Sequence, residues 1–353
     1  MKPSSSLRRS APLLLAALAP LFLAVCADAG PGAPEARSTE AMIQDVLANK
    51  EDVTILITDS GMGGLSVFAD LAARLPGSGV FRNARVVFYN AQFHSTGYNG
   101  LGSEEEKARI FGEVLDAMME QYEPDLLLIA CNTLSVVYEN TEFAKNPPIP
   151  VVGIVDTGVD LIADQFRKTP DATAIVFGTL TTIESGVHKD LLVSQGFPED
   201  RIVGQAAHRL AGAIERGPDS EETMNYIRQF VGEALEKVGE PEGPLFGSFN
   251  CTHYGFARDQ FAAAFAEAGF PDVELLDPNP MMSDFLFQPP YLHRHPQTNM
   301  AVEVVSKLEF TERERGAIGP LLRAVSPAAA DALDSYTFDP DLFQTSFQPP
   351  VRN

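Results

Sequence analysis

The run Val53-Thr54-Ile55-Leu56-Ile57-Thr58 is apolar or β-branched at every position. A strand buried on both faces reads this way, and such strands belong to parallel sheets covered by helices. The turn Asp59-Ser60-Gly61-Met62-Gly63-Gly64 follows, and then a helical pattern from Leu65 to Leu75. The strand-then-helix unit recurs. Strands are predicted at 85–89, 125–130, 151–155, 172–177, 245–249 and 273–276. Between them lie helices at 104–122, 158–166, 183–195, 208–215, 220–238 and 256–268. Ser103, with Glu106 three residues on, caps the first of these. The alternation demands an α/β fold, and 353 residues suffice for two such domains. The expected architecture is two pseudo-symmetric α/β domains with parallel sheets and a cleft between them.

The acidic balance narrows the partners. Forty-eight Asp and Glu against 26 Lys and Arg leave a net charge of −22, which argues against nucleic acid and anionic membrane surfaces. A small anionic substrate remains compatible, because local hydrogen-bond donors bind a carboxylate inside an acidic protein. Residues 1–29 read as a secretory signal. Lys2, Arg8 and Arg9 precede the apolar run 13–25, and Ala27-Asp28-Ala29 has the form of a cleavage site. Export to a bacterial periplasm is the expected location, with a lipid anchor at Cys26 as the variant form and no membrane span elsewhere. Residues 30–51 read as a linker containing a short helix at 38–48. The first domain is expected over 52–150, completed by 256–288, and the second over 151–255. Residues 289–353 are expected as a C-terminal extension, with helices at 300–308 and 311–325 and a surface tail from Tyr336.

Outside the leader the chain has two cysteines, in matching settings. Cys131 lies in Ile129-Ala130-Cys131-Asn132-Thr133 and Cys251 in Phe249-Asn250-Cys251-Thr252-His253. Each ends a predicted strand, and ligands in open α/β sheets bind at the carboxyl ends of strands. Asp59 ends another. Two thiols in one cleft can act as paired acid and base. Two buried cysteines, or one disulfide in an oxidising compartment, satisfy the same sequence. The glycines of the 59–64 turn lack the G-K-[ST] and full G-x-G-x-x-G of phosphate-binding loops. The histidines show no ligand spacing beyond His293-x-His295, so no metal is expected.

Three segments in order carry a resemblance. Asp59-Ser60-Gly61-Met62-Gly63-Gly64-Leu65 is similar to D-S-G-x-G-G-L, Ala130-Cys131-Asn132-Thr133 to A-C-N-T, and Cys251-Thr252-His253-Tyr254 to C-T-H-Y. Gly178-Thr179 through Ser185-Gly186 adds an echo of T-x-x-T-I-x-S-G. Together they resemble the aspartate/glutamate racemase family, its glutamate-specific branch most of all, over roughly residues 53 to 285. The resemblance implies a cofactor-independent racemase in which one cysteine removes the α-proton of an acidic amino acid and the other reprotonates the opposite face. By the same carry-over Asp59 assists Cys131 and His253 assists Cys251. Ser60, Asn132, Thr133 and Thr252 hold the substrate's carboxylate and amino groups. Tyr98 and Gly100 are the nearest remnant of the family's D-T-A-R-x-P-Y-G segment, whose Asp and Arg are not kept. Leu180 stands where many glutamate racemases carry a glutamate. The remaining expectations are a homodimer and three alternatives: an aspartate racemase, another small-carboxylate isomerase, or an exported amino-acid-binding protein without activity.

Overall fold

The computed structural model describes residues 37–349. The leader, Cys26 and the first part of the linker lie outside them. Two wholly parallel sheets organise the chain. The first contains β1 (Asp52–Asp59), β2 (Asn83–Asn90), β3 (Leu126–Ile129) and β4 (Val151–Gly153). The second contains β5 (Thr173–Gly178), β6 (Ile202–Ala206), β7 (Leu245–Asn250) and β8 (Glu274–Leu276). Their spatial orders are β2-β1-β3-β4 and β6-β5-β7-β8, so the two lobes repeat one winding. β1 corresponds to β5, and β3, ending before Cys131, corresponds to β7, ending before Cys251.

β1 shows why the run at 53–58 had to be a central strand. Side chains alternate across a sheet. Ile55 and Ile57 therefore enter the core on one face, with Phe68 and Leu71 of the following helix. Leu56 enters the core on the other, with Phe111 and Leu115 of helix Glu104–Tyr122. That helix starts as its sequence dictates: Ser103 Oγ accepts from the Glu106 N–H at 3.2 Å, and three acids occupy the first turn.

Several boundaries differ from the sequence reading. β4 pairs with β3, so the first sheet runs past residue 150. Helix Arg258–Glu267 and β8 build the second lobe, whereas Met282 and Leu286 pack in the first lobe's core. The helix expected at 183–195 is two, Leu180–Glu184 and Val187–Ser194, broken at Gly186 by a left-handed φ of 71°. β6 was not expected; it is five residues long and carries Gly204 and Gln205. The short helix expected at 38–48 does form, as Thr39–Asn49, and it buries Val46 and Leu47.

The largest correction concerns the C-terminal segment. The helix expected at 300–308 is a strand, β9 (Asn299–Ser306), paired with β2 along its full length from Asn83↔Asn299 to Asn90↔Ser306. A short, largely apolar segment is ambiguous in period, and here Val302, Val304 and Val305 suit a pleated edge while β2 offers open backbone groups. β10 (Thr337–Phe338) extends the sheet, giving the order β10-β9-β2-β1-β3-β4. Helix Glu312–Val325 forms where expected, opened by a capping box between Thr311 and Glu314. With helix Pro327–Asp334 it covers the first lobe through Ile318, Leu322, Ala330 and Leu333. The tail is no surface extension either, since Leu342 and Phe343 are buried. Among the described residues no helix is long and apolar enough to cross a membrane.

Candidate active site

A cavity of about 320 Å³ lies where the carboxyl ends of β1, β3, β5, β6 and β7 converge. That volume is at the lower end for a small-molecule pocket. Cys131 comes to it from the first lobe and Cys251 from the second, both as free, buried thiols. The disulfide left open by the sequence is not formed.

Cys131 caps the helix Asn132–Tyr138, and its Sγ lies 3.1 Å from Ser60 Oγ. Burial pushes its thiol up to about 12, and the Asp59 carboxylate adds to the effect. Hydrogen bonds from Ser60 and from the Leu134 and Ser60 N–H groups work the other way. Cys131 is thus held as a protonated acid. Asp59 does not bond Cys131. Its Oδ1 accepts from the Gly61 N–H at 3.0 Å and its Oδ2 from Thr252 Oγ1 at 2.8 Å, across the lobe boundary. Complete burial raises its carboxyl from 3.8 to about 6, against the pull of His253 and the Thr252 hydrogen bond.

Cys251 has a different partner. His253 Nδ1 lies 3.6 Å from its Sγ, and His253 Nε2 lies 2.7 Å from Glu215 Oε1. Burial alone would lower the imidazole's pKa. Glu215 and the Cys251 contact outweigh it and raise it well above 6.5, so His253 is an imidazolium with both N–H groups engaged. Glu215 is itself held below the usual carboxylate range: burial opposes this, but His253 and the Met62 N–H, at 2.8 Å, prevail. Cys251, His253 and Glu215 form a relay in which the histidine can give or take a proton at sulfur.

Glu215 was not anticipated. It sits in the last turn of helix Leu210–Arg216, one acid among 48, and only the folding of that helix against the 59–64 turn brings it to His253. The turn's glycines make that approach feasible. A Cβ at Gly61 would fall 2.7 Å from Glu215 Oε1. One at Gly63 would fall 2.2 Å from Thr252 Oγ1 and 2.6 Å from His253 Nδ1. Close contact between lobes, rather than phosphate binding, is what these glycines permit.

The other expected residues divide. Ser60, Asn132, Thr133 and Thr252 line the cavity. Thr133 Oγ1 lies 2.7 Å from Thr179 Oγ1, which lies 2.9 Å from Thr182 Oγ1, forming a threonine cluster across the cleft. Asn132 Oδ1 meets His188 Nε2 at 3.1 Å, while Asn132 Nδ2 is buried without a partner among the described residues. Burial lowers His188 to about 4, so it is a neutral donor here. Tyr98 lines the cavity, but its hydroxyl donates to the Ala91 carbonyl at 3.1 Å and is not free for a substrate. Gly100 is not on the cavity; it packs behind it against Thr96. Arg209, which had not been singled out, lines the rim in a left-handed backbone conformation with φ 67°.

Comparison with known proteins identifies the family. Residues 55–242 match the family model described as Asp/Glu/Hydantoin racemase. The chain belongs to that family. A glutamate racemase of Syntrophus aciditrophicus is 28% identical over 233 residues, 65% of this chain and 76% of that protein. One of Brucella anthropi is 29% identical over 230 residues, 64% and 74% of the two chains. Among solved structures, glutamate racemase from Campylobacter jejuni superposes with a TM-score of 0.56 at 22% identity, covering 75% of this chain and 96% of that one. The Francisella tularensis glutamate racemase, solved with D-glutamate, gives 0.57 at 19% identity, covering 77% and 94%. These likenesses show that the family fold is shared.

Proposed function

We propose that this racemase-family chain interconverts the L and D forms of an acidic amino acid, glutamate first, by two-base proton transfer between Cys131 and Cys251. The observation that carries the reading is the placement of two free thiols, each just beyond the third strand of its lobe, in one small cavity. In the resting site Cys131 is the acid. Cys251, when deprotonated beside the His253 imidazolium, is the base that takes the α-proton. The Cα–H bond breaks, its proton passes to the Cys251 sulfur, and the S–H proton of Cys131 goes to the opposite face of Cα. The site is then left with Cys251 as thiol and Cys131 as thiolate, the form that runs the reverse direction. Positioned acid and base groups supply roughly a hundred- to ten-thousand-fold in rate. Donors at the substrate carboxylate, where charge accumulates, supply more. Asn132 Nδ2, without a partner among the described residues, and the threonine cluster are suited to that task.

The test is exchange in deuterated water. L-glutamate should lose optical rotation and gain deuterium at Cα, with no added cofactor. Cys131→Ala and Cys251→Ala should each abolish racemisation; full activity in either variant would sink the two-base scheme. Exchange of aspartate but not glutamate would move the substrate within the same reading. Binding of either acid without exchange would favour a binding protein. The leader motif at residues 1–29 supports an exported enzyme. Sequencing the mature N-terminus from fractionated cells tests this, a start at Met1 in the cytoplasm being the contrary result.

A further inference from the structure

We propose that the C-terminal tail is a working part of the substrate site, with Phe347 as a positioning residue for the loop 92–100 that walls the cavity. The inference rests on the racemase reading only for its kinetic consequence.

The loop contributes Gln92, Ser95, Thr96, Tyr98 and Asn99 to the cavity lining, but not Phe93 or His94. Phe347 packs on both of those residues. Its ring lies edge-on to Phe93 at 4.9 Å between centroids and 5.1 Å from His94. Each passes the contact on to a lining residue. Phe93 packs edge-on against Tyr98 at 5.0 Å, and Tyr98 stands on the wall beside Cys131. His94 Nδ1 accepts from the Thr96 N–H at 3.1 Å and lies 2.8 Å from Thr96 Oγ1. From across the cleft the Thr181 N–H donates to Asn99 Oδ1 of the loop at 3.1 Å. Gly97, at φ 62° and ψ 175°, gives the loop a joint that other residues rarely form.

The tail is anchored well enough to serve as a backing. Phe343 stacks on Tyr89 at 5.9 Å, Lys307 Nζ donates to the Phe343 carbonyl at 2.7 Å, and Gln121 Nε2 donates to the Leu342 carbonyl. Beyond Phe343, the Ser346 N–H donates to Glu113 Oε2 at 2.7 Å, on the helix that follows the loop. The tail thus runs from the far edge of the first sheet to the back of the cavity wall, and Phe347 is where it arrives.

The experiment compares wild type, Phe347→Ala, Phe347→Tyr and a chain ending at Phe343, which keeps the buried anchor. Hydrogen exchange is read at amides 92–100 and in both sheets, and KM and kcat are measured for glutamate. Loss of the aromatic contacts should raise KM about three- to tenfold while kcat stays within about twofold. Exchange should accelerate at 92–100 and not in β5 or β7, and Phe347→Tyr should restore both readouts. Unchanged exchange at 92–100 in the truncated chain overturns the proposal. So does uniform acceleration across the first sheet with kcat reduced and KM unchanged, the mark of a merely stabilising tail. If the wild type racemises nothing, the proposed function fails, and the exchange pattern still decides whether the tail holds the loop.

Discussion

Asp59→Asn should make the protein more stable and the enzyme slower, and the gain should depend on pH. Asp59 is fully buried, and its carboxyl stands at about 6 instead of 3.8. A rise of that size favours the protonated form by about 3 kcal/mol. The folded pKa is the higher one, so the stability this group contributes is complete below 3.8 and is lost as pH rises through about 6. Near neutrality the native state therefore holds a carboxylate it would fold better without. Asparagine removes that charge but keeps only one oxygen for the two donors, Gly61 N–H and Thr252 Oγ1. One unmet hydrogen bond costs about 1 kcal/mol, leaving a net gain of about 2 kcal/mol at neutral pH. Urea unfolding at about pH 7.5 and about pH 4 reads it: the variant leads at the higher pH, and the lead disappears at the lower, where Asp59 is protonated. The same substitution removes a charge that raises the Cys131 thiol. The alkaline limb of its pH–rate profile should therefore move to lower pH. A variant no more stable than wild type near neutrality, or one whose lead is the same at both pH values, would refute the reasoning. A stability penalty retained at a site of charge transfer is the trade expected where function needs strain.

Glu215→Gln takes away the charge that keeps His253 protonated, so kcat should fall by roughly ten- to a hundredfold, with the alkaline limb shifted down. A pH–rate profile checks this, and an unmoved limb would show that His253 does not depend on Glu215. His188 is neutral with its pKa depressed to about 4, so its contribution to stability is present above 6.5 and lost as pH falls toward 4. His188→Gln, which can still donate to Asn132 Oδ1, should flatten the stability curve between those values by about 3 kcal/mol. Denaturant midpoints across that range measure it, and an unchanged slope would count against a buried neutral histidine.

The parts of the fold that were legible in the sequence rest on local periodicity. Residues 53–58 could only be a central strand, because every position is apolar or β-branched. Cys131 and Cys251 were legible as strand-end residues for the same reason, and Ser103 as a cap from its neighbours alone. The segment 299–306 was misread because short apolar runs fit both periods, and what decides it is the open edge of β2 more than 200 residues earlier. Tyr98 and Gly100 were assigned to the substrate by resemblance. Packing instead commits the Tyr98 hydroxyl to Ala91 and places Gly100 behind the wall.

By itself, then, the sequence determined the repeated β–α winding, the pairing of the two thiols with strand ends and the glycine turn after β1. Each is set by chemistry within a few residues. The tertiary structure decided what surrounds the thiols: Ser60 and a charged Asp59 near Cys131, and His253 backed by Glu215 at Cys251. It also decided that the tail packs behind the loop that walls the cavity. Ser60 reaches Cys131 across 71 positions and Glu215 reaches His253 across 38, and burial shifts the charge states of Asp59, Cys131 and His253. Neither the contact nor the loss of water around it is encoded at any one place along the chain.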